Sequence, residues 1–399
     1  MNKLKILILH NDLRVYWKRR LQFLHEFLKT KDIEFTAIEI FGVGSPYDFD
    51  LSKDTEPWRI CLFPALTDDQ LTKSKIEAAV FSKLAEINPD IIIAGSIAFY
   101  SGALGLRWAK QNNRKFIMFD DAKPSNVKRN FLVQGVKNLI TRQIDALWLP
   151  SDDYDKEYEA LYSKSRFFYF YGYNCIDNQL FNQQGEKKSD HKKIISVARL
   201  VPIKNYENLL NAWKFVEMND DAYELIIIGD GAAFKELNSL ANTINLKRVR
   251  FLGSIDNDKL PQYLNEADAF VLPSWSESWA LVVNEAMAAG LPVLLSNKIN
   301  SANTLLKENE NGFSFSPGNV KEIQQKLIDF IQLPDTAKRE MSENALKTIS
   351  GMDFNNMGSE LLGAINFLES TPNKPVKLAA KIALKLWRGR YNTNSWDKL

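Results

Sequence analysis

Cysteine is nearly missing from this chain of 399 residues. Cys61 and Cys175 are the only two, and they lie far apart. A disulfide framework and a Cys-based zinc site are therefore excluded, and a reducing compartment fits. A dominant charge is lacking as well. Lys and Arg number 51 against 49 Asp and Glu, a formal net charge of +2, so the bulk electrostatics give no reason to expect nucleic acid as a partner, although local basic patches remain open. No stretch approaches the ~18 consecutive apolar residues of a membrane span. The first ten residues form a short strand-like run without the long apolar core of a signal peptide, so a cytoplasmic location is expected. What is present is ordinary for a soluble protein, 45% hydrophobic and 25% charged, in a chain long enough for two domains.

The dominant pattern is alternation. Short β-branched runs end in polar or glycine-containing turns and are followed by helical periodicities of ten or more residues, the signature of parallel sheets covered by helices. Strands are expected at 4–9, 35–40, 90–94, 115–119 and 146–149, with helices at 17–29 and 76–87. The polar stretch 183–193 interrupts the series and reads as part of an interdomain linker. A second series then begins. Strands are expected at 194–197, 225–228, 249–252, 269–272 and 293–295, and helices at 206–216, 234–244, 259–265 and 281–289. The organisation read from this is a first Rossmann-like domain over 1–180, a linker over 181–193 and a second Rossmann-like domain over 194–350. A crossing helix over 351–371 returns to the first domain, and a basic tail over 372–399 follows. Two doubly wound sheets predict a ligand cleft at the carboxyl ends of their strands.

The second series holds the chemistry. Arg199 sits just past the strand 194–197 and Lys204 five residues further on. Two fixed cations at a strand end suit a diphosphate, Arg as a planar fork and Lys as a mobile point charge. The segment from Pro273 to Gly290 leaves the strand 269–272, turns through small polar residues and enters a helix closed by Gly290. Glu277 lies in that turn and Glu285 in the helix. The amides of Ala280, Leu281 and Val282 open the helix, where phosphate oxygens are readily received. Gly229-Asp230-Gly231 forms a glycine turn after the strand 225–228.

Together these pieces resemble glycosyltransferase family 4, retaining enzymes of the GT-B fold. The resemblance rests on residues 196–205, on Ile228-Gly229-Asp230-Gly231, on Phe251-Leu252-Gly253, and on Glu277 and Glu285 with seven residues between them, closing in residues 285–293. The stretch 174–181 looks like the family's interdomain crossing. The resemblance implies that Arg199 and Lys204 bind the donor's diphosphate and that Glu285 accepts hydrogen bonds from the ribose. It places Glu277 near the donor sugar and has Ala280, Leu281, Val282 and Gly229 lining the nucleotide-sugar site; Glu277, Arg199 and Lys204 carry the chemistry. It implies transfer from a UDP- or GDP-sugar to a glycan or lipid-linked acceptor, as in polysaccharide or glycoconjugate biosynthesis, with the first domain on the acceptor side. No metal and no cofactor beyond the nucleotide-sugar substrate are expected. The chain departs from the family where Ser278-Trp279-Ala280 stands for the usual Gly-Phe-Gly, where His10-Asn11-Asp12-Leu13-Arg14 replaces a glycine-rich turn, and around Ala302-Asn303.

Three Asp-x-Asp triplets, at 48–50, 153–155 and 256–258, resemble the metal motif of another glycosyltransferase fold, but none directly follows an apolar strand. Helix starts explain the latter two. His10 ends the first strand and is a candidate contact for phosphate or acceptor; His25 and His191 read as helix-face and linker residues. A dinucleotide-dependent oxidoreductase is the rival reading of Gly229-Asp230-Gly231, but Phe234 stands where a third glycine belongs. A catalytically silent glycosyltransferase-like partner subunit is a further alternative. In the tail, Lys377, Lys381, Lys385 and Arg388 form one helical stripe, and Val376, Ala379, Ala380, Ala383, Leu384 and Trp387 fill the other face. Residues 376–390 are therefore expected to form a free amphipathic helix on an anionic membrane surface, peripheral to the inner face of the cell membrane.

Overall fold

The computed structural model describes residues 3–13, 16–43, 56–126, 131–162, 167–182, 192–220 and 222–390. Arg14, the Asp48-Phe49-Asp50 triplet, His191, linker residues 183–191 and tail residues 391–399 lie outside them. The chain divides into two compact units, one of Met1–Asn174 with Phe354–Trp396 and one of Cys175–Asp353.

The first unit is a seven-stranded parallel sheet in the order β3-β2-β1-β4-β5-β6-β7. Its strands are β1 (Lys5–His10), β2 (Glu34–Phe41), β3 (Arg59–Phe63), β4 (Ile91–Ala94), β5 (Lys115–Phe119), β6 (Ala146–Leu149) and β7 (Phe168–Tyr171). Helices α1 (Tyr16–Lys29), α2 (Lys73–Ile87), α3 (Tyr100–Gln111), α4 (Phe131–Thr141) and α5 (Asp155–Leu161) make crossovers, as parallel neighbours require. Every residue of β4 and β6 is buried, the near-continuous apolar run of a sheet covered on both faces.

The second unit opens with the short helix α6 (Asn178–Phe181) and holds a six-stranded parallel sheet in the order β10-β9-β8-β11-β12-β13. Its strands are β8 (Lys192–Val197), β9 (Tyr223–Ile228), β10 (Val249–Phe251), β11 (Ala269–Leu272), β12 (Val293–Ser296) and β13 (Gly312–Phe315). Its other helices are α7 (Tyr206–Asn219), α8 (Phe234–Thr243), α9 (Leu260–Asn265), α10 (Leu281–Ala288), α11 (Ala302–Leu305), α12 (Val320–Gln332) and α13 (Asp335–Ser350). Lys192 and Lys193, placed in the linker by the sequence, begin β8, and the units divide after Asn174 rather than after residue 180. In each sheet the order reverses beside the first strand, between β1 and β4 and between β8 and β11. At such a switch point the loops leaving two neighbouring strands diverge and leave room for a ligand.

The chain then returns to the first unit with α14 (Phe354–Ser370), which packs on α1 and β7, and α15 (Leu378–Leu386). The expectation of a free tail helix is corrected here. Ala380, Ala383 and Leu384 are buried, and α15 packs on α3 and α4. The Trp387 indole donates to the Ile97 carbonyl at 2.7 Å, and the Arg390 amide to Ala98 at 3.0 Å. Two alanines one turn apart let α15 approach its neighbours closely, so the face read as membrane-facing is spent inside the domain. No helix among the described residues is long and apolar enough to cross a membrane.

Candidate functional site

In the second unit the loops after β8 and β11 bring Lys204 and Glu277 together at the switch point, with Arg199 at the start of the first of these loops. Arg199 follows β8 by two residues and is partly buried. Lys204 ends the single helical turn Pro202–Lys204. Asn205 then takes a left-handed conformation with φ 59°, and its side-chain amide donates to the carbonyls of Pro273, at 3.0 Å, and Pro317, at 2.8 Å. The loop after β8 is thus tied to the loops after β11 and β13, which fixes where Lys204 emerges.

Lys204 forms an ion pair with Glu277. Ser274, itself fully buried, donates to the same Glu277 carboxylate oxygen at 2.7 Å. With side-chain exposures of 15% and 13%, the pair is shielded enough to resist screening. The backbone holds the turn from the other side. Glu277 N–H donates to the Lys298 carbonyl and Asn300 N–H to the Glu277 carbonyl, both at 3.3 Å, while the Asn300 side chain donates to the Ser278 carbonyl at 3.1 Å.

Ser278-Trp279-Ala280 shows what replaces the glycine turn. The Trp279 ring is buried and its Nε1 donates to the Asn284 side chain on α10 at 2.9 Å. Ala280, the residue before α10, sits at φ 73°, ψ 77°, in the left-handed region where a β-carbon is strained by roughly 1–2 kcal/mol. The turn therefore keeps a glycine-type backbone without the glycine, held by the indole anchor. Ala280 carries no side-chain oxygen to cap this helix start, so the first-turn amides of Leu281 and Val282 are not satisfied by their own N-cap residue. Ala280→Gly is expected to raise stability by up to about 1 kcal/mol. The relieved strain outweighs the roughly 0.4–1 kcal/mol of added chain entropy. Thermal unfolding of both proteins checks this; a lower melting temperature in the variant would mean that the methyl group packs favourably.

Glu285 lies on α10 and is buried at 5% exposure. Gly229 adopts φ 140°, and a β-carbon there would stand 1.9 Å from the Ala198 carbonyl oxygen; Gly231, at φ 154°, would place one 2.5 Å from the Leu200 carbonyl oxygen. These glycines let the turn after β9 lie against the backbone on either side of Arg199. Close packing therefore accounts for the Gly-x-Gly pattern that suggested a dinucleotide.

In the first unit, His10 ends β1 and is half-buried, with its Nδ1 2.5 Å from the Asp12 carbonyl and its ring 5.3 Å from Phe119. Burial pushes its pKa below the ordinary value, so the imidazole is held toward neutrality. Sequence reasoning missed the neighbouring carboxyls Asp120 and Asp121, just after β5. The Tyr154 hydroxyl donates to the Asp121 carbonyl at 3.2 Å and the Tyr158 hydroxyl to the Ala122 carbonyl at 3.4 Å. Desolvation raises both carboxyls, Asp121 to about 6, with Asp120 adding to it as a like charge. The signal was present, since two acids directly follow an apolar strand. Asp153 and Asp155 lie at helix starts, paired with Lys123 at 3.7 Å and with the Tyr171 hydroxyl at 2.5 Å. Among the described residues no group of three or more His, Cys, Asp or Glu gathers in metal-binding geometry.

Comparison with known proteins bears on this site directly. Residues 177–348, most of the second unit, match the family described as "Glycosyl transferases group 1". An "uncharacterized glycosyltransferase" of Haemophilus influenzae is 30% identical over 159 residues, 40% of this chain and 44% of that protein. The chain thus aligns with less than half the length of this curated relative. Among solved structures, a sucrose-phosphate synthase from Thermosynechococcus elongatus superposes with a TM-score of 0.75 at 18% identity, covering 92% of this chain and all of the other. The Anabaena protein HepE, solved with UDP-glucose, gives 0.68 at 20% identity over 92% of this chain and all of the other. The fold is therefore the two-domain GT-B type expected from the sequence.

Proposed function

We propose that this protein is a retaining glycosyltransferase that moves a sugar from a UDP- or GDP-sugar to a glycan or lipid-linked acceptor, in polysaccharide or glycoconjugate biosynthesis. The observation that carries the reading is the gathering of Arg199, Lys204, Glu277 and the α10 start at the β8–β11 switch point of a group 1 glycosyltransferase domain. A bound donor has its diphosphate at Arg199, Lys204 and the amides of Ala280, Leu281 and Val282, its ribose at Glu285, and its sugar beside Glu277.

The chemistry follows from charge. Breaking the bond from the anomeric carbon to phosphate leaves negative charge on the nucleoside diphosphate and positive character on the sugar. Preorganised cations and a helix N-terminus stabilise that leaving group without reorganising. The Lys204–Glu277 pair is the ready-made form of this site. The arriving diphosphate competes with Glu277 for Lys204, leaving Glu277 with Ser274 and facing the sugar. The acceptor hydroxyl attacks from the face the diphosphate leaves, and the departing phosphate oxygen takes its proton, so no side-chain base is needed and configuration is retained. With cations supplied by the chain, turnover does not depend on a metal.

The buried position of Glu285 suits acceptance of two ribose hydroxyl protons, because an ionised acceptor binds roughly twice as strongly as a neutral one. Glu285→Gln is expected to weaken UDP or GDP about tenfold while inorganic diphosphate binding stays near wild type, as read by isothermal titration. Equal losses for nucleotide and diphosphate would remove Glu285 from the ribose.

A further inference from the structure

The exposed apolar side chains of the first unit are not scattered. Of the large hydrophobic residues exposed among the described residues, Phe131, Leu132, Val133 and Val136 all lie on α4, and Leu378, Ile382 and Leu386 lie on α15; only Phe215, Met218, Trp275 and Phe367 lie elsewhere. Phe131, Leu378 and Leu386 are more than 70% exposed. The two helices pack on each other, and the Lys137 ammonium lies 5.9 Å from the centre of the Trp387 ring. On α15 the residues Leu378, Ile382 and Leu386 recur every four positions and make one outward stripe. Lys377, Lys381 and Lys385 are exposed on the same helix and form the adjoining stripe. Carboxylates are missing on either side. No Asp or Glu occurs between Asp121 and Asp145, or between Glu369 and Asp397. Glu77, which reaches Arg388 at 3.6 Å, is also paired with Arg107, and Asp120, which faces Lys137, is itself withdrawn from solvent behind α4.

We propose that the α4–α15 face of the first unit docks on an anionic lipid bilayer, with Phe131, Leu132, Leu378, Ile382 and Leu386 entering the headgroup region and the lysines lying among the lipid phosphates. Clustered apolar side chains edged by cations and free of carboxylates match a bilayer surface on both counts. The inserting residues are not those of the apolar face read from periodicity, which α15 uses to hold itself to α3 and α4. The first turn of α4 and the last turn of α15 lie at the end of the sheet from which the loops after β4 and β5 emerge, since the chain enters α4 after β5 and Trp387 is tied to Ile97. A docked protein lies with this side along the bilayer and keeps the loops after β4 and β5 close to its surface. Resting on the proposed function, this favours an acceptor carried on a lipid.

The experiment is co-sedimentation of the full chain with vesicles of phosphatidylcholine alone and with one-third phosphatidylglycerol. The wild type is expected to pellet with the anionic vesicles, less so in high salt, and to stay in solution with the neutral ones. Each Lys→Gln at 377, 381 or 385 should weaken binding about fivefold. Ile382→Glu with Leu386→Glu should abolish it while leaving the melting temperature and UDP or GDP binding unchanged, because these side chains already face water. Failure of the wild type to pellet, or equal pelleting of the charged variant, overturns the proposal. So does a dimer in light scattering that the variant returns to monomer without any vesicle binding, because the face then belongs to a second copy. Nucleotide binding is measured on the same samples, so loss of vesicle binding alone leaves the donor site standing.

Discussion

Lys204→Ala is expected to lower turnover at least about a hundredfold, the usual consequence of removing one preorganised donor from a developing anion. The wild-type ammonium is held by Glu277, and that carboxylate by Ser274. Removing Lys204 therefore takes away a phosphate ligand and leaves a poorly solvated carboxylate without its cation. The two roles separate in a double variant. Lys204→Ala with Glu277→Gln should recover part of the stability lost in the single variant, because breaking one side of a shielded pair costs more than removing both. Turnover should fall no further than the more severe single change, since the two residues act as a unit. Steady-state kinetics and thermal unfolding of the four proteins read both effects. Additive losses in turnover would mean that the ion pair is a bystander.

Gly229→Ala is expected to be the most damaging small substitution in the second unit. Its β-carbon would meet the Ala198 carbonyl oxygen at 1.9 Å, in a backbone conformation that L residues rarely adopt. Neither neighbour yields easily. The Gly229 amide donates to Gly253 at 2.8 Å, and the Ala198 amide to Ile228 at 3.1 Å. Overpacking and backbone strain together put the loss at about 3 kcal/mol or more, a fall in melting temperature of roughly 10 °C for a unit of this size. Any backbone shift moves Arg199, so donor affinity should fall as well. A variant that melts with the wild type would show that the turn after β9 relaxes freely and does not position Arg199.

What the sequence disclosed follows from where its signals are strong. β5, β6 and β11 are short apolar runs bounded by polar residues, and their limits coincide with those read from the sequence. Arg199, Lys204 and Glu277 were legible because their spacing is specific, although their convergence depends on Asn205 lacing three loops together. α3 was not recognised. It is buried on nearly all sides, so it has little amphipathic periodicity, and two glycines, poor helix formers, fall inside it. They are there for contact, because a β-carbon at Gly102 would stand 2.2 Å from the Gly95 carbonyl oxygen. The edge strands β3 and β7 are only partly buried and gave a weak pattern. For α15, periodicity marked an apolar face but not what covers it, and three partners on α3, α4 and the loop after β4 decided that.

Donor binding by the second unit requires that Arg199, Lys204 and Glu285 hold a nucleoside diphosphate. Thermal unfolding of the wild type and of Arg199→Ala in UDP, GDP and inorganic diphosphate tests this most directly. At about a hundred times its dissociation constant, UDP or GDP should stabilise the wild type by ~2.7 kcal/mol, diphosphate alone should do so at higher concentration, and Arg199→Ala should need far more of each. No shift with either nucleotide, or equal shifts in the two proteins, would contradict the account.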